Sequence, residues 1–361
     1  MEQRACQTAY RYGPPRFAIG EVETVAGPVP LVATQLTTGD RLGGARVRMN
    51  LRRMDYRVSP GLYAVGRPTA GSPVLVTANY KLTFDSVRAE LSSVDAWILV
   101  LDTHGVNVWC AAGKGTFSTD ELVRQVKATR LDTVVDHRVL VVPQLGATGV
   151  AKHRVREACG FSVIYGPVRV ADLPVFIAAG MKATPDMRRV RFGLRDRAAV
   201  MGVEVSVVWA WQMIVAALVV SFLVGLAGSH LFSPADYGLR LGVVYGLFVL
   251  SIIGGGVLVP LGLPYIPGRS FSVKGALVGA VLAASAVAAL QELVPMVALV
   301  GIFLAVTAFS SYVAMNFTGS TTFTSPSGVL REMRRALPLQ VAGAAGAVLL
   351  FVAQLVVHLT T

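Results

Sequence analysis

The sequence predicts an α/β domain built on a parallel sheet, followed by an all-α transmembrane domain of five helices. Three observations predict this. Charge is concentrated in residues 1–200, strand-length apolar runs alternate with helix-like segments from about residue 73, and long apolar stretches fill residues 207–361. The hydrophobic content of 53% and mean hydropathy of +0.58 therefore average two unlike halves of a 361-residue chain, long enough for two domains.

In the first half, VLVTA (74–78), AWILVLD (96–102), RVLVVP (138–143) and SVIYG (162–166) read as buried strands. Between them FDSVRAEL (84–91), TDELVRQVKATR (119–130) and VAKHRVREACG (150–160) have helical spacing. Such alternation predicts a parallel sheet covered on both faces, with ligands bound beyond the carboxyl ends of the strands. Ser118 and Glu121 have capping-box spacing, which separates the 119–130 helix from the short element before it. Residues 1–60 show weak periodicity and end at PGLYAVGRP, whose glycines and prolines suggest turns. The expected organisation is an N-terminal segment (1–60) packed on or leading into the soluble domain, a soluble domain (61–190), a linker (191–206) and a membrane domain (207–361).

The spans are read at 209–228, 238–259, 274–293, 295–315 and 339–358. Each is long enough to cross a hydrocarbon core of roughly 30 Å at 1.5 Å per residue. Loops carrying MRRVRFGLRDR (187–197), Arg269 with Lys274, and REMRR (331–335) alternate with loops lacking basic clusters, so residues 1–205 and the 316–338 loop are expected to face the cytoplasm of a multi-pass inner-membrane protein. The N-terminal MEQRACQTAYRYGPPRF has no apolar signal core, which agrees with that orientation.

The formal charge of +12 lies largely beside the spans, where it orients the chain and meets anionic lipid, so membrane lipids rather than nucleic acid are the expected partners. Cys6, Cys110 and Cys159 form no CxxC pair, which excludes an iron–sulfur cluster or structural zinc site built from this chain alone. In a cytoplasmic setting they are not expected to form disulfides. His137 and His153 lack metal-ligand spacing.

The informative stretch is NVWCAAGKGTF (107–117). Asn107 can cap a short helix whose first turn holds Val108, Trp109 and Cys110, which places the sulfur near unpaired backbone N–H groups and favours its thiolate. Lys114 follows one turn later on the same face, Ala111 and Ala112 leave room beside the sulfur, and Gly113 and Gly115 end the helix. Two readings stay open on these residues: a thiolate presented to a large flat ligand, or a small buried hydrophobe.

TANYKLTFDSVRAEL together with LDTHGVNVWCAAGKGTF resembles the HgcA family of mercury-methylating corrinoid proteins, whose cap-helix motif is N(V/I)WCAAGK. It is similar, more distantly, to the corrinoid domain of the corrinoid iron–sulfur protein of the acetyl-CoA pathway. VVPQLGATGV (141–150), YGPVRVADL (165–173) and SSYVAMNFTGSTTFTSPSGV (310–329) also look like that family, so the resemblance covers most of residues 60–361.

The resemblance implies a Rossmann-like corrinoid-binding domain with a cap helix, the corrinoid lying between sheet and cap. It makes Cys110 the lower axial ligand of cobalt and the catalytic residue. Asn107 would orient the helix, Lys114 would tune the thiolate or meet a corrinoid side chain, and Trp109 would either anchor the helix or touch the ring. Val108 and Ala111 complete the cap-helix part of the cofactor site. Loops after the strands would supply the rest: Thr77, Asn79 and Tyr80 after the first, Gly146, Ala147 and Gly149 after the third, Gly166 after the fourth. His104, in DTHGVN, lacks the final glycine of the histidine-ligating cobalamin motif, since Asn107 stands there, and reads as a loop residue.

The implied activity is that of a corrinoid-dependent methyltransferase carrying a methyl group from methyl-Co(III) corrinoid to Hg(II), giving methylmercury. The implied partners are HgcB, a ferredoxin-like protein with two [4Fe–4S] clusters, as electron donor and candidate mercury carrier, and a methylfolate, or a protein carrying one, as methyl donor. A membrane-anchored corrinoid methyltransferase with a non-mercury acceptor, and a sensor or transporter that performs no chemistry, remain as alternatives. The 316–338 loop reads equally as a docking segment or a connector. Few ionisable residues lie in the spans, which favours anchoring and homodimer packing, through GGG (254–256) and the Ala-rich third span, over a mercury channel.

Overall fold

In the computed structural model the described residues are 16–225, 234–321 and 326–360. They fall into two compact units, one of residues up to Val47 with Leu51–Val190, the other of Arg48–Asn50 with residues from Arg191 onward. Cys6 lies outside the described residues.

The first unit runs β1 (Ala18–Thr24), β2 (Gly27–Val32), α1 (Thr38–Arg48), β3 (Gly61–Val65), β4 (Val74–Ala78), α2 (Lys81–Glu90), β5 (Ala96–Leu101), α3 (Val108–Lys114), α4 (Thr119–Ala128), α5 (Leu131–Val134), β6 (Val139–Val142), α6 (Lys152–Cys159), β7 (Ser162–Tyr165) and α7 (Leu173–Ala178). The seven strands form one sheet in the order β1-β2-β3-β5-β4-β6-β7. β5, β4, β6 and β7 are mutually parallel, and these are the four strands expected from the sequence.

The sheet is mixed rather than wholly parallel. β3 runs antiparallel to β5, and β1 antiparallel to β2. Both additions come from segments whose punctuation hides them. β2 contains Pro28 and Pro30, which lack N–H donors, and it meets β3 through a single register pair, Leu31 with Ala64. β3 is a five-residue run, buried after Gly61, that sits inside PGLYAVGRP.

Two apolar cores cover the faces of this sheet. Val74, Val76 and Ala78 of β4 point into the core shared with α3, α4 and α6. Leu75 points into the opposite core, with Phe84 and Val87 of α2 and Phe176 of α7. There Phe17, Tyr63 and Phe84 interlock with ring centroids 5.1 to 6.2 Å apart. Each fully buried side chain of this size contributes about 1.5–3 kcal/mol.

The N-terminal segment is fastened by charge as well as by strands. Lys81 reaches Asp40 and Asp85 at 2.6 Å each, and Arg88 reaches Asp40 at 2.9 Å and Asp85 at 2.8 Å. The Arg88 guanidinium, fully buried, also donates to the carbonyls of Ala33 and Gln35. Burial alone would raise the Asp40 carboxyl, but hydrogen bonds from Lys81 and Thr37 outweigh it and hold the group below the usual carboxylate range.

The second unit runs α8 (Leu194–Val205), α9 (Trp211–Gly225), α10 (Pro234–Ile253), a π-helical turn (Gly254–Leu258), α11 (Val259–Gly262), α12 (Phe271–Leu290), α13 (Met296–Asn316) and α14 (Pro326–Thr360). Among the described residues four helices are long and apolar enough to cross a membrane: Asp236–Gly262, Phe271–Leu290, Met296–Asn316 and Ser327–Val357. A fifth crossing requires the pair Leu194–Trp209 and Trp211–Val224, bent by 45° where Ala210 turns extended.

Two expectations change here. The 191–206 stretch, read as a linker, is mostly the helix α8. The last helix begins far ahead of residue 339, because Pro338 sits within α14 instead of ending it. Glycines of the segments expected as packing surfaces meet α13 of this same chain. A Cβ on Gly255 would lie 2.3 Å from the Ser310 carbonyl oxygen, and one on Gly275 2.5 Å from the Ala314 Cβ.

Candidate functional site

The chain leaves β4 and β6 toward opposite faces of the sheet, α2 covering one face and α6 the other. The strand order therefore reverses direction between β4 and β6, and doubly wound sheets bind ligands at the carboxyl ends of such a pair. Three segments meet there: Asn79–Tyr80 after β4, Asp102–Asn107 after β5, and Gln144–Gly149 after β6.

Asn79 organises this corner. Its side-chain oxygen accepts from the Thr103 N–H (3.1 Å), the Thr103 hydroxyl (2.9 Å) and the Gly105 N–H (2.9 Å), and its amide donates to Asp102 at 2.9 Å. At 2% exposure, Asn79 is fully occupied with the loop that launches α3. His104 is exposed in a left-handed turn (φ 56°) and lies 3.3 Å from Asp102. Burial would raise the Asp102 carboxyl, but hydrogen bonds from the His104 N–H, the His104 ring and Asn79 outweigh it and lower it.

α3 starts as its sequence predicts. Asn107 Oδ1 accepts the Cys110 N–H at 2.9 Å, and Gly115 closes the helix in a left-handed conformation (φ 78°). Val108, Ala111 and Ala112 are buried in the core over the sheet, which fixes the rotation of the helix. At 100° per residue, Trp109, Cys110, Gly113 and Lys114 then share the outward side.

Val108, Ala111 and Ala112 close α3 onto the sheet, so the space between sheet and helix is lined by their side chains. Cys110 stands on the open side of α3. Cys110 is a partly exposed free thiol, and a Cβ on Gly113 or Gly115 would meet nothing within 4 Å. Lys114 is exposed and is in no ion pair among the described residues.

The glycines after β6 serve α3 rather than open space. A Cβ on Gly149 would fall 2.0 Å from the Phe117 carbonyl oxygen and 3.2 Å from the Ala112 Cα, and one on Gly146 would strike the Phe117 ring at 2.5 Å. Ala147, between them, remains partly exposed. Phe117, fully buried, thus locks the end of α3 onto the β6 loop.

Thr77 and Gly166 belong to the other face. Thr77 alternates with Val76 and Ala78 and so points to the α2 side, where its buried hydroxyl finds no hydrogen-bond partner. Gly166 packs against Val141 and Phe176 of that same core. Tyr80 is buried at the start of α2, with the Arg53 guanidinium 5.8 Å from its ring centre.

Sequence reasoning missed two participants. Glu121 does not return to Ser118 as a complete capping box would have it; Ser118 accepts the Glu121 N–H at 3.2 Å, while the carboxylate accepts from the Asp102 N–H at 2.7 Å and pairs with Arg124. Phe117 lies inside the quoted motif, but only the tertiary contact reveals its role. Among the described residues no group of three or more His, Cys, Asp or Glu side chains is arranged to hold a metal ion.

Residues 51–176 match a family described as CO dehydrogenase/acetyl-CoA synthase delta subunit. The gamma subunit of the acetyl-CoA decarbonylase/synthase complex of Methanopyrus kandleri is 38% identical over 127 residues, covering 35% of this chain and 27% of that protein. The Archaeoglobus fulgidus counterpart is 32% identical over 118 residues, covering 32% and 25%. The corrinoid/iron-sulfur protein large subunit of Moorella thermoacetica is 32% identical over 131 residues, covering 36% and 29%. The chain thus spans about a quarter of the length of these relatives, and the family match runs from just before β3 into α7, over the strands that carry the site. These similarities support a place for the α/β unit among corrinoid proteins.

Proposed function

We propose that this chain binds a corrinoid through the outward side of α3 and uses it to transfer a methyl group to Hg(II), with Cys110 as the lower axial ligand of cobalt. One observation carries this reading. The Cys110 thiol sits beside Gly113 on the side of α3 turned away from the core, with a helix rotation set by Val108, Ala111 and Ala112. A partly exposed soft donor next to open space fits a cobalt macrocycle, and the relative named for a corrinoid supports the choice of ligand.

When bound, the corrinoid supplies a cobalt that carries a methyl group and can release it to an electrophile. Cys110 would hold that cobalt through its sulfur, an electron-rich donor that would assist methyl transfer to an electrophile. Asn107 holds the first turn of α3 so that the sulfur keeps its direction. Asn79 positions the loop before it and Phe117 the chain after it, as supports that do not touch the cobalt. Lys114, exposed one turn from Cys110, stabilises the thiolate or meets an amide of the corrin ring. Trp109 shares the outward side, which supports contact with the ring over a role as an anchor in the core.

The chain supplies no cluster ligands, so HgcB, the ferredoxin-like partner, is proposed as electron donor and mercury carrier, and a methylfolate as methyl source. The proposed location is the inner membrane, with the α/β unit in the cytoplasm, a reading that the apolar helices and the basic loops support. A second reading, corrinoid methyl transfer to a non-mercury acceptor, draws on the acetyl-CoA decarbonylase/synthase relatives. The test is methylmercury production in cells that also express the ferredoxin-like partner. Wild type is expected to produce it, and Cys110→Ala and Cys110→Thr at equal protein levels are expected to produce none. A wild type that holds corrinoid but yields no methylmercury would remove the mercury acceptor and leave the second reading.

A further inference from the structure

A cavity of about 750 Å³ lies between the start of α12, the end of α13 and the start of α14, wholly within the second unit. Its lining has two characters. Arg269, Arg331 and Arg335 are exposed along it and none is in an ion pair among the described residues. The nearby Glu332 is already engaged, accepting the Ser272 N–H at 2.6 Å at the first turn of α12. Further in, Val273, Ala276 and Leu304 make apolar walls, with Val273 49% exposed.

The floor is polar and incompletely paired. Gln340, only 7% exposed, donates to the Ser311 hydroxyl at 2.9 Å, while its side-chain oxygen is buried without a partner. The Thr307 hydroxyl is likewise buried and unpaired. Leaving buried polar groups unpaired is costly, so a ligand that satisfies both is favoured.

We infer that this cavity binds an anionic phospholipid of the leaflet facing the basic residues, its phosphate at the three arginines, its glycerol region on Thr307 and Gln340, and an acyl chain along the apolar walls. The inference rests on the membrane placement proposed above. A free phosphate would account for the arginines and leave the apolar walls empty. A neutral lipid would account for the walls and leave three guanidinium groups without an anion.

The test uses the full chain in detergent and in lipid nanodiscs, with phosphatidylglycerol, phosphatidylcholine and inorganic phosphate as probes. Native mass spectrometry counts retained lipid, and thermal melting reports stabilisation. At about 1 kcal/mol per basic group near the membrane surface, loss of two arginines corresponds to roughly thirtyfold in lipid affinity. Wild type should retain phosphatidylglycerol over phosphatidylcholine, Arg331→Gln with Arg335→Gln should lose that preference, and the paired Lys variants should keep most of it. Arg195→Gln, outside the cavity, should behave as wild type.

Equal retention of the two lipids, unchanged preference in the double Gln variant, or equal stabilisation by inorganic phosphate would each overturn the inference. A chain released from membranes by a carbonate wash would overturn the membrane placement and this inference with it. A chain that needs detergent but binds both lipids alike would overturn this inference alone.

Discussion

Replacing Asn79 with alanine should loosen the start of α3 while leaving the sheet intact. The substitution removes an acceptor for two buried N–H groups, those of Thr103 and Gly105, and a donor to Asp102. Thr103 is fully buried, so its N–H gains no water in exchange. At about 1–3 kcal/mol for each orphaned buried group, the loop from Asp102 to Asn107 should lose roughly 3–5 kcal/mol of local stability. Hydrogen exchange read by mass spectrometry on the full chain measures this directly. Amides of residues 103–111 should exchange at least about a hundredfold faster than in wild type, and those of β4 and β5 little faster. Asn79→Asp adds an internal control. It keeps an acceptor for Thr103 and Gly105 but sets a second carboxylate where the amide now lies 2.9 Å from Asp102. Its defect should therefore shrink as pH falls and one of the two carboxylates takes a proton, whereas the alanine defect should not. Protection in Asn79→Ala within about threefold of wild type would refute the hub role assigned to this side chain.

Other consequences follow from the same geometry. Arg88→Met leaves Asp40 and Asp85 without their buried partner and should cost about 3–5 kcal/mol, read as a lower melting temperature of the purified chain. Asp40 and Asp102 both have folded carboxyl groups lowered below their ordinary values, so their stabilisation is present at neutral pH and is lost as pH falls below the ordinary carboxylate range; melting curves taken from neutral to acidic pH should show a decline there that Asp40→Asn flattens. Lys81 is raised above its ordinary value, with burial opposing and hydrogen bonds to Asp40 and Asp85 prevailing, so its share is lost only on strongly alkaline titration. Gly149→Ala sets a Cβ against backbone rather than a movable side chain and should cost about 3 kcal/mol or more together with loss of corrinoid retention, both measurable on one preparation.

The parallel strands were legible because β4, β5, β6 and β7 are apolar throughout or nearly so, as strands covered on both faces must be. β2 and β3 were not, because Pro28, Pro30, Gly61 and Pro60 carry the local signature of turns, and only pairing with β5 makes a strand of Gly61–Val65. The cap helix was legible to the residue, since Asn107 and Gly115 are local signals. Its rotation was not. Whether Cys110 or Ala111 faces the sheet depends on how Phe117 and Gly149 fit together across 32 residues, and nothing local records that fit. Nor does the sequence show that Gly146 and Gly149 accommodate Phe117, or that Thr77 and Gly166 lie on the sheet face away from the thiol. In the second unit, composition placed the apolar stretches, but not the hydrogen bonds from Arg197 to the carbonyls of Pro260 and Leu261 or from Lys274 to that of Leu263, which tie α8 and α12 to the end of α11.

The central claim is that the sulfur of Cys110 binds cobalt on the open side of α3. Cobalt X-ray absorption on the full chain, loaded anaerobically with a corrinoid, measures it most directly. Wild type should show a sulfur scatterer in the first shell of cobalt, and Cys110→Ala should retain the corrinoid with nitrogen and oxygen alone. A first shell without sulfur in wild type, or one unchanged in Cys110→Ala, would contradict the account.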